Sequence, residues 1–134
     1  MQTPVDERGN LQEEALKAQL DLLRGKGLAG LLILGSTGCF PFFSLEDRKR
    51  IVRRFAEHAP DFPLIVNISD IRLSSVVQLG KAAKEAGAVG VSILPPWFFE
   101  YAQSDIEEFL VRGAEAADMP LLLYNFPERT GNRL

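Results

Sequence analysis

The sequence predicts an α/β fold in which consecutive βα units build a parallel sheet. Four short apolar runs, centred near Leu32, Val66, Val91 and Leu122, recur about every 30 residues. They are near-continuous Leu, Ile and Val with little polar alternation, the pattern of strands buried on both faces. Segments with helical spacing of apolar residues separate them, and right-handed crossovers between neighbouring parallel strands are the usual solution for such a series.

Taken in order, Thr3-Pro4-Val5-Asp6 is short and extended, because Pro4 keeps Thr3 out of the helical region. Gly9-Asn10 turns the chain, and Asn10 with Glu13 three residues on has the form of a capping box. Leu11, Leu16, Leu20 and Leu23 give that helix an apolar stripe to about Arg24, where Gly25 and Gly27 end it. The first strand is expected over Leu28–Leu34, followed by the loop Gly35–Phe43. Ser44, with Asp47 three on, caps a second helix that runs to about His58 and carries Ile51, Val52 and Phe55 inward. Arg48, Lys49, Arg50, Arg53 and Arg54 are expected on its solvated face, since Glu46, Asp47 and Glu57 are interspersed. His58 is expected to help satisfy the last turn. Leu64–Ile68 is the next strand, Leu73–Glu85 the next helix, and Val89–Leu94 a strand stopped by Pro95-Pro96. An aromatic loop (Trp97, Phe98, Phe99, Tyr101) leads to a helix capped by Ser104 with Glu107. Leu121–Asn125 is the last strand and enters Phe126-Pro127-Glu128-Arg129-Thr130-Gly131.

Composition narrows the functional classes. A chain of 134 residues fits one domain, and its 46% apolar content argues against disorder. The net charge of -3 disfavours nucleic acid or an anionic membrane as the main partner. The lone Cys39 forms no internal disulfide or cysteine metal cluster and suits a reducing cytoplasm. No apolar run approaches the roughly 20 residues that span a bilayer, and Met1-Gln2-Thr3-Pro4 has neither the basic start nor the apolar core of a signal peptide.

The candidate site follows the first strand. Leu31-Leu32-Ile33-Leu34 breaks into Gly35-Ser36-Thr37-Gly38, where glycines are expected to adopt torsions that other residues resist, turning backbone amides toward a small anion. Periodicity alone does not separate a slice of a (β/α)8 barrel from a flavodoxin-like open sheet. Polar or reactive residues after several strands (Ser36 and Thr37, Asn67, Trp97 and Phe98, Tyr124) favour a barrel, which assembles its site from a ring of strand ends. Taken singly, each has a plainer role: a tight βα turn, a core tyrosine, a solvated Arg129, a small loop residue at Cys39. Trp97, Phe98 and Phe99 suit a pocket lid or an oligomer seam equally.

Together, Gly35-Ser36-Thr37-Gly38, the Pro95-Pro96-Trp97 loop and the run from Tyr124 to Gly131 resemble the dihydrodipicolinate synthase / N-acetylneuraminate lyase family. Thr3-Pro4 resembles that family's Thr-Pro-Phe at the end of strand one. Order and spacing match over nearly the whole chain. The resemblance implies a pyruvate-dependent class I aldolase or dehydratase on a TIM barrel, needing no cofactor and commonly homo-oligomeric. It places the chain from the end of strand one to just past strand five, a partial barrel forming the N-terminal half.

The same resemblance assigns roles. Ser36 and Thr37 occupy the positions that bind the pyruvate carboxylate. Tyr124 takes the place of the proton-shuttling tyrosine, its phenol hydrogen-bonded to Ser36 or Thr37. Arg129 matches the arginine that meets the second substrate's carboxylate, a contact suited to a guanidinium. Three features depart from the pattern. Cys39 replaces a glutamate, and Phe98 stands where lysine-pathway synthases carry a second relay tyrosine, which favours a sugar-acid or 2-keto-acid reaction. Class I chemistry also needs an imine-forming lysine; the family's lies on strand six, whereas Lys17, Lys26, Lys49, Lys81 and Lys84 all precede the later motifs. A non-catalytic half-barrel that self-associates through open edges, and a flavodoxin-like module holding an anion at Gly35–Gly38, are the alternatives.

Overall fold

The computed structural model describes residues 1–134. Four strands, β1 (Leu31–Ile33), β2 (Leu64–Asn67), β3 (Gly90–Ile93) and β4 (Leu121–Leu123), pair in parallel in the order β1-β2-β3-β4. The register sets Ile33 beside Val66, Val66 beside Val91 and Val91 beside Leu121. These fully aliphatic rows face the helices.

Helix α1 (Glu13–Leu23) precedes β1, and α2 (Leu45–His58), α3 (Leu73–Glu85) and α4 (Gln103–Ala117) cross between successive strands. Each packs on the next, α1 on α2, α2 on α3 and α3 on α4. That arrangement decides the architecture. A doubly wound sheet reverses its strand order at a switch point and carries helices on both faces. Here the order never reverses, every same-handed crossover steps the same way, and the helices form one continuous layer. The flavodoxin-like alternative is therefore excluded, and the sheet is an arc of a barrel.

One core lies between sheet and helices. Leu16 and Leu20 of α1, Ile51, Val52 and Phe55 of α2, and Val76 and Leu79 of α3 are buried against Ile33, Val66, Val91 and Ile93. Burying a side chain of this size stabilises by about 1.5–3 kcal/mol each, so this interface is the main source of cohesion. Gly113 lets α4 settle on the sheet: an added Cβ there would lie 3.1 Å from the Ile93 side chain.

Local signals were met unevenly. Ser44 caps α2 as expected, its hydroxyl accepting from the Asp47 amide at 3.2 Å. The capping box at Asn10 does not form. Gln12 is the N-cap of α1 and makes no side-chain bond, because Asn10 is taken by Asp6, whose carboxylate accepts from the Asn10 amide at 2.8 Å and its side chain at 3.1 Å. This Asp6–Asn10 turn is closed by a single antiparallel bridge between Val5 and Leu11. Ser104 lies inside α4, whose N-cap is Ala102. The outer strands are shorter than expected. Leu28 is exposed, Leu34 has left the ladder, and Leu122 and Leu123 of edge strand β4 are partly exposed on its two faces. A short 3-10 turn, Phe40–Phe42, and helix α5 (Pro127–Thr130) follow β1 and β4. No helix is long and apolar enough to cross a membrane.

Candidate active site

The loops after β1, β3 and β4 converge at the C-terminal edge of the sheet, where barrel sites form. Ser36, Thr37 and Tyr124 line one cleft of about 260 Å³, floored by Leu32, Ser92 and Leu122. Tyr124 extends the row of Leu122 two residues on, because side chains alternate along a strand. Its ring stacks on Phe126 at 5.7 Å, with an interplanar angle of 17°. The phenol makes no hydrogen bond to Ser36 or Thr37, so the expected direct link is not made. The three residues share the cleft instead.

The loop is built differently from the sequence expectation. Neither Gly35 nor Gly38 has a positive φ; the left-handed positions are the flanking Leu34 and Cys39, both at φ 55°. The glycines are needed for space. A Cβ on Gly38 would meet the Leu34 Cα and the Met1 carbonyl at 3.1 Å, and one on Gly35 the Leu32 side chain at 2.8 Å. Leu34 holds its torsion because its carbonyl accepts from the Asn67 side chain at 2.7 Å while its own side chain is fully buried. Asn67 is thus a buried brace instead of a member of the reactive ring, and it accepts from the Ser69 hydroxyl at 2.6 Å. Ser69 in turn accepts from the Leu94 amide at 2.8 Å, tying the ends of β1, β2 and β3 together.

The result is a loop with unspent donors. The backbone N–H groups of Ser36, Thr37 and Gly38 donate to no group of the chain. The side-chain bonds reaching this segment go to carbonyls, from the Thr3 hydroxyl to Gly38 at 3.0 Å and from Cys39 Sγ to Thr37 at 3.8 Å. Successive free amides beside two hydroxyls suit a carboxylate.

Ser36 also borders a second cleft, of about 460 Å³, with Phe40, Phe42, Trp97, Phe126 and Arg129. Trp97 meets Phe40 edge to face at 5.6 Å. Trp97 is therefore part of the site wall, whereas Phe98 and Phe99 stand exposed outside it, Phe98 in a left-handed conformation. Arg129 is exposed, and no acidic side chain pairs with it.

Arg48 corrects the sequence reading most sharply. It is 2% exposed, not solvated. Its guanidinium lies over the Phe40 ring at 5.1 Å, donates to the Asn67 carbonyl at 3.3 Å and sits 3.5 Å from Asp70. Nε has no partner, and burial pushes the group down to about 10, partly offset by Asp70. Surrounding acidic residues hid this because helical spacing places Arg48 three residues before Ile51 and four before Val52, on the inward stripe. The rest of the run is at the surface: Lys49 pairs with Glu46, Arg50 with Asp47 and Arg54 with Glu13 and Glu57. His58 joins that last cluster, its Nε2 3.4 Å from Glu13.

No lysine lines either cleft. Lys17, Lys49 and Lys84 are ion-paired on the helical layer, and Lys26 and Lys81 are exposed there.

In comparisons with known proteins, residues 1–134 match the model of the dihydrodipicolinate synthetase family. A 4-hydroxy-tetrahydrodipicolinate synthase of Thermus thermophilus is 34% identical over 126 residues, which are 92% of this chain and 42% of the relative. YagE, a prophage protein of the dihydrodipicolinic acid synthase family from E. coli K12 solved in complex with pyruvate, superposes with a TM-score of 0.95. It is 28% identical, over 99% of this chain and 45% of its own. A 2-keto 3-deoxygluconate aldolase from Picrophilus torridus gives a TM-score of 0.94 at 29% identity, over 100% of this chain and 48% of its own. The chain spans about half the length of the relatives it matches. At this agreement its four strands are an arc of a (β/α)8 barrel.

Proposed function

The chain belongs to the dihydrodipicolinate synthetase family, and from that membership we propose that it is the N-terminal part of a pyruvate-dependent class I aldolase or dehydratase. Its 134 residues act as one partial-barrel domain. The observation that carries this reading is the shared cleft: Ser36, Thr37 and Tyr124 meet at the strand ends beside backbone amides with no partner in the chain.

In the proposed reaction the keto acid's carboxylate accepts from the amides of Ser36, Thr37 and Gly38 and from the two hydroxyls. That fixes the ketone carbon in the cleft mouth. A lysine amine supplied from outside these residues attacks that carbon, and loss of water leaves an iminium. Water departs only if the carbinolamine oxygen gains a proton, which the Tyr124 phenol donates, leaving a phenolate. The Tyr124 phenolate then takes a C3 proton, and the enamine so formed makes, or in reverse breaks, a carbon–carbon bond. Arg129 receives the carboxylate of the second reactant. Phe98 has no hydroxyl to extend the relay, which disfavours the reaction of the lysine-pathway synthases. The exposed Phe98 and Phe99 support a homo-oligomer, and the free, exposed Cys39 a reducing cytoplasm.

Pyruvate titrated into the ¹⁵N-labelled chain should shift the amide signals of Ser36, Thr37 and Gly38 saturably; unmoved signals would refute the cradle. Borohydride with pyruvate should leave the chain unmodified, and an adduct on any of its lysines would refute an external amine.

A second reading rests on the open edge. Leu123 is 55% exposed and lines, with Ile106, Leu110 and Val111, an apolar groove of about 470 Å³. In it the chain is a non-catalytic half-barrel that associates through β4.

A further inference from the structure

We propose that the cleft between the β1 and β4 loops accepts a reactant that is anionic at one end and aromatic or bulky-aliphatic in its body, not a polyhydroxylated sugar acid. This deepens the aldolase reading and rests on it, since the cleft is taken as the seat of the second reactant.

The cleft of about 460 Å³ has the volume of a small-ligand site and room for a phenyl ring with a short acidic chain. Its wall is aromatic: Phe40, Phe42, Trp97 and Phe126 face it, and no carboxylate or amide side chain does. The Thr130 hydroxyl is already spent, donating to the Asn132 carbonyl at 2.7 Å. With the Ser36 hydroxyl committed to the keto acid's carboxylate, what remains to a second reactant is the weakly polar Cys39 thiol and the Arg129 guanidinium, the one charged group in the lining. A sugar acid brings several hydroxyls, and those pressed against this wall would surrender water without gaining a partner. A ring loses nothing comparable and gains edge or stacking contacts.

The wall is also held in place. Phe40 is 5% exposed, locked edge to face with Trp97 and backed by Arg48. Arg48, which no proposed step uses, is a positioning residue for this wall. At the rim Phe42 stands 86% exposed, an apolar ring that a bound ligand would cover.

Trp97 is the chain's only tryptophan, so its fluorescence reports on this cleft alone. Titrated into the 134-residue chain, 3-phenylpropanoate is expected to change that emission saturably, with an apparent Kd at least tenfold below that of D-gluconate. Both are monoanions; one carries a ring and the other hydroxyls. Phe42→Ser, at an exposed position, is expected to weaken 3-phenylpropanoate at least fivefold and leave D-gluconate unchanged. Arg129→Gln is expected to weaken both. D-gluconate binding as tightly as 3-phenylpropanoate, or no saturable response to 3-phenylpropanoate, overturns the proposal. The pyruvate-induced shifts at Ser36–Gly38 test the underlying reading separately. Their loss with the ring preference intact sinks that reading alone, and the reverse sinks the substrate class alone.

Discussion

Replacing Cys39 by Gly should stabilise the chain, although the substitution removes a side chain and adds none. Cys39 sits at φ 55°, ψ 36°, in the left-handed well where Cβ crowds its own backbone. That conformation costs an L-residue roughly 1–2 kcal/mol, and Gly escapes the cost. Against the gain stands the greater freedom of Gly in the unfolded chain, about 0.4–1 kcal/mol. The thiol is exposed and its one bond is the 3.8 Å contact to the Thr37 carbonyl, so little packing is lost. The balance is a gain of about 0.5–1 kcal/mol. Gly38→Ala is the converse experiment. It restricts the unfolded chain by a similar amount, but its Cβ would lie 3.1 Å from the Leu34 Cα and the Met1 carbonyl. Moving backbone aside costs about 1–3 kcal/mol, so a net loss near ~1 kcal/mol is expected. Urea unfolding at 25 °C reads both changes. With m values of about 1–3 kcal/mol/M, Cys39→Gly should raise the midpoint by roughly 0.2–1 M and Gly38→Ala should lower it. The opposite signs would mean that the glycines hold the strained torsions, and the loop geometry argued above would be wrong.

Tyr124→Phe in the longer protein that carries the imine lysine should lower kcat at least about 100-fold, with the pyruvate KM little changed; an unchanged rate in steady-state assays would remove the shuttle role. Arg48→Met removes a cation whose burial costs roughly 3 kcal/mol by its displaced pKa. It also gives up the Phe40 and Asn67 contacts, at about 1 kcal/mol each, the pull of Asp70 being already contained in the displaced pKa. Denaturant titration should therefore place it within about 1 kcal/mol of the parent, and Arg48→Ala, which opens a void, about 2–3 kcal/mol below; equal losses would refute this account of the buried charge. Asp6, Glu13, Asp61 and Asp118 are all held below the usual carboxylate range, by Asn10, Arg54, Arg24 and Lys84 respectively. A depressed folded pKa confers stability that is fully present above the unfolded value and lost as pH falls through the folded one. Tm should thus be level above about pH 5 and fall below about pH 4, with a shallower fall in Asp6→Asn; superimposable curves would exclude that turn as a contributor. If the half-barrel associates through β4, Leu123→Lys should move its elution in size-exclusion chromatography to the monomer position; a folded parent that already elutes there would refute the edge argument.

Much of the scaffold could be read from the sequence because buried parallel strands leave a coarse signal. Four aliphatic runs about 30 residues apart admit few arrangements, and every crossover was found where its amphipathic stretch lay. The finer misreadings share a cause. Asn10 fits a cap by type and spacing, yet Asp6 offered its amide a carboxylate first. Leu28 and Leu34 belong to one apolar run but fall outside the ladder, and nothing local in a run says where the ladder stops. The interspersed acids point Arg48 to solvent, whereas the stripe it shares with Ile51, Val52 and Phe55 takes it inside. Neighbouring acids report on the surface of a helix, while its period decides which residues must go inside.

The site was legible as a set of residues and not as a geometry. Ser36, Thr37 and Tyr124 come together because strand order without reversal closes the sheet into an arc and brings the loops after β1 and β4 toward one axis. In an open sheet those loops would stand three strand spacings apart, about 14 Å, too far for a proton to pass between side chains. Curvature is thus what turns three hydroxyl-bearing residues into one site. The same argument explains the brace that no motif marked: Asn67 and Ser69 run from the Leu34 carbonyl to the Leu94 amide. An arc holds its strand ends at fixed distance only if something other than the ladder spans them. Asn67→Ala should then loosen the cradle before it unfolds the core, weakening the pyruvate-induced shifts at Ser36–Gly38 while Trp97 emission, set by Phe40 and Arg48, changes little. Loss of both together would mean that the brace serves only the core.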